Sequence, residues 1–161
     1  MEEAYDIRQG DCREVMREMP ENSVHCCVTS PPYWGLRDYG CEGQMGLEQT
    51  PEEYVSKMVE VFREVGRVLR EDGTLWMNLG DSYASKQLVG IPWRVAFALQ
   101  VDGWWLRQDI VWHKPNPMPE SVRDRCTKAH EYVFLMAKSE RYYYDAEAVK
   151  DHSTTSPKMQ I

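Results

Sequence analysis

Apolar positions along the chain fall into short blocks whose period changes from helical to strand-like and back. A weak alternation over residues 5–9 predicts a short strand that stops at Gly10-Asp11. Val15, Met16 and Met19 then recur at helical spacing until Pro20 ends the block. Residues 23–29 form a compact run rich in Val and Cys, which suits a buried parallel strand. Pro31-Pro32 cannot continue that strand, so residues 30–34 are predicted to form a loop at its carboxyl edge. Residues 35–49 contain four glycines and no period, the pattern of a flexible or ligand-covering loop. Thr50-Pro51-Glu52-Glu53 reads as a helix start, with Thr as the cap, Pro at the first helical position and Glu three residues after the cap. Tyr54, Met58, Val61, Phe62, Val65, Val68 and Leu69 follow on one face, and Asp72-Gly73 is predicted to stop that helix before a strand over 74–79. After a loop at 80–86, Ile91-Pro92 opens a second helix carrying Val95, Ala96 and Leu99. Residues 105–113 and 131–138 are predicted strands with no helix between them, hence antiparallel neighbours.

This alternation predicts an α/β fold with a mostly parallel sheet and an antiparallel terminal hairpin. With 161 residues the chain has room for one domain, placed at 1–150; the polar tail 151–161 reads as the start of a further segment. Five cysteines without a Cys-x-x-Cys pair argue against a disulfide framework or a zinc site. Cys26 and Cys27 are expected as small core residues, and Tyr142-Tyr143-Tyr144 as a buried aromatic run, with exposed stacking surfaces the alternative. An acidic N-terminus and the lack of a long apolar run place the protein in the cytoplasm. The net charge of −7 counts against holding DNA by bulk electrostatics, but leaves room for a local basic groove.

The candidate chemistry centres on Ser30-Pro31-Pro32-Tyr33. In an open parallel sheet ligands bind outside the carboxyl ends of the strands, where this segment falls. Two prolines fix the backbone and aim its carbonyls. An aromatic amine is a poor nucleophile because its lone pair is delocalised into the ring. Acceptors around the NH2 group favour pyramidal geometry and expose that pair; Ser30 Oγ and the Pro31 carbonyl supply them, and Tyr33 offers a face for a flipped base. Neither a metal nor a covalent nucleophile is required. Asp11 is read as a helix cap, a cofactor contact, or both; Asp81 and Ser82 either line the cleft or satisfy a turn. Between Arg107 and Lys128 lie Lys114, Arg123 and Arg125, with prolines at 115, 117 and 119 that keep the segment extended. That arrangement suits phosphate contacts, or pairing with Asp109, Glu120 and Asp124.

At these residues the sequence closely resembles the amino-methyltransferase family of DNA-modifying enzymes, whose signature is Ser, Asp or Asn followed by Pro-Pro and an aromatic residue. The resemblance extends over nearly the whole chain: Gly10-Asp11, Asp72-Gly73-Thr74-Leu75-Trp76 with Asn78 and Gly80-Asp81-Ser82, then Trp112-His113-Lys114-Pro115 and Thr127-Lys128-Ala129-His130-Glu131-Tyr132. It implies a Rossmann-like fold dependent on S-adenosylmethionine, acting on a flipped base of double-stranded DNA in a prokaryotic or phage setting. It assigns catalysis to Ser30, Pro31, Pro32 and Tyr33, cofactor binding to Asp11, Cys12 and Ser30, and DNA contacts to Trp34, Lys114, Ser121, Arg123 and Arg125. The leading serine implies cytosine N4 as the acceptor, with adenine N6 the nearest alternative; similar loops for glutamine methylation usually begin with Asn.

The family also carries a Phe-x-Gly-x-Gly loop for the cofactor, and that motif is not in this sequence; Gly40 to Gly46 lacks the flanking strand and helix. The resemblance therefore implies a catalytic half whose 5–9 strand lacks its neighbours. Weak cofactor binding and little activity are expected of these residues alone. The remaining possibilities are a complementary chain that supplies the glycine loop, and a non-catalytic module that binds such a chain or DNA.

Overall fold

The computed structural model describes residues 5–150; the predicted tail segment 151–161 lies outside them. Helix α1 (Cys12–Arg17) is capped by Asp11, whose side chain accepts from the Arg13 amide. Strand β1 (Val24–Thr29) follows and ends, as the prolines require, at the 30–34 loop. Helix α2 (Pro51–Val68) starts with the full capping box, Thr50 and Glu53 exchanging side-chain to backbone bonds. It passes into β2 (Leu69–Leu79), then the small hairpin β3 (Tyr83–Ala84) and β4 (Gln87–Leu88), helix α3 (Ile91–Val101), β5 (Trp105–His113) and β6 (His130–Ala137). No helix among the described residues is long and apolar enough to cross a membrane.

The main sheet is mixed, in the order β1-β2-β6-β5. β1 and β2 are parallel, while β6 runs antiparallel to both β2 and β5. The period-2 alternation of β2 sends Leu75, Met77 and Leu79 to one face. There they meet Tyr54, Met58 and Phe62 of α2, Val95 and Leu99 of α3, and Phe134 and Met136 of β6, all essentially without solvent exposure. Each such side chain contributes roughly 1.5–3 kcal/mol. α1 packs on α2, and Arg67 of α2 ties the two by donating to the Met16 and Met19 carbonyls.

Several expectations are corrected. Residues 5–9 form no strand: Tyr5 and Ile7 are 83% and 87% exposed, and no described strand offers its edge to them. Cys26 is exposed and Cys27 half-buried, because the helices cover only one face of the sheet and β1 is its edge strand. α2 ends at Val68, not at Asp72-Gly73; those two residues lie inside β2, in the irregularity opposite His25 where the β1–β2 register shifts. The 80–86 loop contains β3 and a reversal through Ser85 and Lys86, both at positive φ. Tyr143 and Tyr144 are exposed: the 139–150 segment crosses the sheet's far face, anchored by the Tyr143 amide donating to the Asp72 carbonyl, and Tyr142 packs under Arg107, 5.4 Å over its ring. That far face stays partly open, with Val28 at 78% and Trp112 at 61% exposure.

Candidate active site

The Ser30-Pro31-Pro32-Tyr33 loop leaves the carboxyl end of β1 and is held from three sides. From below, Tyr54 of α2, fully buried, donates its hydroxyl to the Pro32 carbonyl at 2.8 Å. Burial pushes the Tyr54 phenol up, with the nearby Glu48 carboxylate adding to the effect, so it remains a donor. From the chain's own continuation, Gly35 donates to the Gly46 carbonyl at 2.7 Å and closes the glycine-containing loop at its base. Gly46 sits at φ +97°, where a Cβ would stand 2.8 Å from the Tyr33 carbonyl oxygen. Just past the end of β2, Gly80 lies under the Tyr33 ring, with room for no side chain between them.

The tip of the loop meets β2 and β6 in a polar cluster. Ser30 Oγ lies 3.3 Å from both Tyr33 Oη and Asn78 Oδ1. Tyr33 Oη lies 2.8 Å from Asn78 Oδ1 and 3.1 Å from Glu131 Oε2. The Asn78 amide nitrogen donates to the Tyr132 carbonyl, which leaves its oxygen facing Ser30 and Tyr33. The other Glu131 oxygen pairs with Lys114 Nζ. Burial disfavours the Glu131 charge, but the bonds from Lys114 and Tyr33 outweigh it and hold the carboxyl below its ordinary value. Tyr33 is moved the other way: burial, reinforced by the Glu131 charge, raises its phenol.

Two hollows meet at this cluster. The larger, about 600 Å³, is walled by the Ser30–Tyr33 loop, Arg37 and Tyr39 of the glycine loop, Asp81, and the 114–131 segment. The second, about 440 Å³ and more open, lies on the sheet's far face at the carboxyl ends of β1 and β2 and is lined by Val28, Thr29, Ser30, Asn78, Trp112 and Glu131. Ser30 and Glu131 line both.

Of the residues singled out in the sequence, Ser30, Pro31, Pro32, Tyr33 and Lys114 come together in the larger hollow. Asp11 and Cys12 line neither hollow. Asp11 caps α1 and is gripped by Arg13 through both carboxylate oxygens, chiefly a side-chain bond that lowers its pKa to about 2. Trp34 turns inward, its indole donating to the Glu48 carbonyl while the Trp34 carbonyl accepts from Ser82 Oγ. Arg125 is spent on Glu120 and lies 4.0 Å over the Tyr83 ring of β3. Ser121 and Arg123 are exposed, and Arg123 has no acidic partner among the described residues. Asp81 satisfies backbone: its Oδ1 accepts from Ser82, Gly90 and Ile91 and so caps α3, whose N-cap Gly90 has no side chain for the task.

Sequence reasoning put Tyr54 on the apolar face of a helix and Lys128 in the basic segment suited to phosphate contacts, and met Asn78 and Glu131 only as parts of the resemblance, with no role at the site. An acid one residue into a strand, with Lys114 just past the end of the partner strand, was the available signal for Glu131. Lys128 reaches the cleft wall with Asp81 Oδ2 at 3.8 Å, and burial lowers its pKa.

The chain matches the DNA methylase family over residues 24–160. It is 50% identical over 172 residues to the Type II methyltransferase M.Cfr9I of Citrobacter freundii, covering 89% of this chain and 57% of that protein. With the Type II methyltransferase M.SmaI of Serratia marcescens the identity is 48%, over 93% of this chain and 61% of the relative. The chain thus spans less than two thirds of these relatives' length. Among solved structures, the cytosine-N4-specific PvuII DNA methyltransferase superposes with a TM-score of 0.73 at 23% identity, covering 87% of this chain and 51% of that one, a likeness of fold. A putative DNA modification methylase from Thermus thermophilus, complexed with S-adenosyl-L-methionine, gives a TM-score of 0.66 at 27% identity over 86% of this chain and 55% of that one.

Proposed function

The chain belongs to the DNA methylase family, and from that premise we propose that it carries the catalytic region of a cytoplasmic enzyme that methylates an exocyclic amine of a DNA base. The observation that carries this reading is the position of Ser30, at the junction of two hollows, with its hydroxyl among acceptors. The larger hollow is wide enough for a flipped base, whose NH2 group would meet Ser30 Oγ and the Pro31 carbonyl. Charge is not required of these groups; they hold the amine so that its lone pair faces the donor.

The second hollow fits a sulfonium donor. It offers the Trp112 indole and the Glu131 carboxylate, two groups that favour a cation, beside the Ser30 hydroxyl. Trp112, Glu131 and Ser30 would hold S-adenosylmethionine there, and when bound it supplies the electrophilic methyl group. For Asp11 and Cys12 the cofactor role rests on the family resemblance alone, since neither lines a hollow and Arg13 takes three of the roughly four acceptor positions of the Asp11 carboxylate. Lys114, Arg123 and Ser121 border the approach a duplex would take.

Cytosine N4 is the acceptor that the leading serine favours, over adenine N6. The test is to incubate the purified chain with S-adenosylmethionine and plasmid DNA, then measure nucleosides by mass spectrometry. N4-methylcytosine in small amount is the expected product, since little activity is expected of these residues alone; N6-methyladenine would move the acceptor, and loss of product in Ser30→Ala ties it to this site. The open far face of the sheet, with Val28 and Trp112 exposed, favours a second reading in which a complementary chain bearing a Phe-x-Gly-x-Gly loop completes the donor pocket. Product formed only on co-expression with such a chain would select it.

A further inference from the structure

Transfer of a methyl group to an amine leaves the nitrogen positively charged and one proton in excess, and the cluster around Ser30 contains a route for that proton. Resting on the functional reading above, we propose that Glu131 is a positioning residue that acts through Tyr33 and Ser30 and finally receives the proton shed by the target amine. The geometry is a file of three oxygens: Ser30 Oγ to Tyr33 Oη at 3.3 Å, and Tyr33 Oη to Glu131 Oε2 at 3.1 Å.

The step balances as follows. The amine nitrogen forms a bond to the methyl carbon, and the donor's sulfur keeps the electron pair of the broken S–C bond. The nitrogen's surplus proton passes to Ser30 Oγ, the Ser30 proton to Tyr33 Oη, and the Tyr33 proton to Glu131 Oε2. Ser30 and Tyr33 end neutral, as they began, and Glu131 ends as a carboxylic acid. Its side chain is 20% exposed, so it can return the proton to water between turnovers.

Asn78 cannot do this work. Its oxygen is the nearer neighbour of Tyr33 Oη, at 2.8 Å, but an amide does not hold a proton at neutral pH. Its position, locked by the Tyr132 carbonyl, orients the two hydroxyls. Asp81 also lines the cleft, but three backbone amides occupy its Oδ1 and Lys128 stands near its Oδ2. Glu120 is paired with Arg125. Among the described residues Glu131 is the one carboxylate reached from Ser30 through hydroxyl groups alone. The charges that face it are Lys114, at the end of β5, and Lys128, in the segment before β6. Both keep it ionised and ready to accept. Lys114 is thereby given a second task beside any phosphate contact: fixing the carboxylate at the end of the file.

The test uses the full 161-residue chain and the Glu131→Gln, Tyr33→Phe and double variants, each checked for folding by thermal unfolding. In single-turnover transfer of a labelled methyl group from S-adenosylmethionine to plasmid DNA, each single change is expected to slow transfer roughly 10- to 100-fold. Affinity for DNA should be unchanged in both single variants; since Glu131 also lines the donor hollow, rates are compared at saturating S-adenosylmethionine, where a weaker hold on the donor does not enter. Because both changes interrupt one path, the double variant should be no slower than the slower single one. Losses that multiply in the double variant, or a Glu131→Gln rate within about twofold of the parent, would overturn the proposal. A second readout does not need turnover. With tyrosine labelled at Cζ, NMR follows the Tyr33 ionisation, assigned by its loss in Tyr33→Phe. Glu131→Gln should bring that titration down towards the ordinary tyrosine value, and an unmoved titration would overturn the coupling. If the parent chain transfers no methyl group, the functional reading fails for this chain alone, and the Tyr33 titration decides the inference by itself.

Discussion

The smallest feature with a large consequence is the hydrogen on the Cα of Gly80. A Cβ there would stand 2.6 Å from Cε2 and 2.9 Å from Cδ2 of Tyr33, and that ring cannot swing away without breaking its bonds to Asn78 and Glu131. Gly80→Ala should therefore leave the helical core intact while displacing the Tyr33 face by several tenths of an ångström or more. A roughly 100-fold fall in single-turnover methyl transfer is expected, with the thermal midpoint changed by only a few degrees. An unfolded variant, or an unchanged rate, would contradict this geometry. Asp11 supports a prediction of a different kind. Its bonds to Arg13, the side-chain one first, lower its pKa from 3.8 to about 2 in the folded chain. A depressed carboxylate contributes stability that is present above the unfolded value and lost as pH falls through the folded one. The stability advantage of the parent over Asp11→Asn should thus be full above pH about 4 and gone near pH 2, measured by urea unfolding across that range. The contribution is small, because the pair is exposed and salt weakens it. Ser30, Pro31, Pro32 and Tyr33 were legible in the sequence because they are contiguous and two of them are prolines. Asn78 and Glu131 were not, because they join the site across 48 and 98 residues of chain and only the sheet register brings them there.

At the scale of elements, the pattern of apolar positions reported which face of each element could be buried, and the structure decided whether anything lies on that face. α2 agrees in both respects: its cap, its proline and its apolar stripe all survive into the fold. Thr50→Ala removes one half of the capping box and should cost about 1 kcal/mol in equilibrium unfolding, with no change in the dependence on denaturant. A cost near zero would mean that Pro51 and the tertiary contacts of Tyr54 set the start of the helix without the cap. β1 shows the opposite outcome. Its Val/Cys run reads as a strand buried on both sides, yet only Cys27 and its neighbours in register with β2 meet the helices; Cys26 and Val28 point to the face that α2 and α3 do not reach. The alternation at residues 5–9 failed for the same physical reason, since a strand exists only where an edge accepts its hydrogen bonds. β3 and β4 escaped notice because a hairpin of two residues per strand is too short to show a period.

At the scale of the molecule, a net charge of −7 means that any duplex must be held by a few local cations against a repulsive background. The structure reduces the number available near the cleft. Lys114 is neutralised by Glu131, Arg125 by Glu120, and Lys128 stands beside Asp81 with burial opposing its charge. Arg123 is exposed on the same segment without a partner among the described residues. Phosphate neutralisation releases counterions, so the slope of log affinity against log salt counts the contacts made, at about 0.9 per phosphate on B-form DNA. The chain should therefore bind duplex DNA with a shallow slope. Arg123→Ala should make that slope shallower by about one unit and weaken binding to all sequences alike, whereas Arg125→Ala should leave the slope nearly unchanged, since its charge is already matched. Fluorescence anisotropy with a labelled duplex from about 50 to 200 mM salt would separate the two variants. Equal effects would show that the Glu120–Arg125 pair opens on binding, and that the acidic wall of the cleft is rearranged by the DNA it faces.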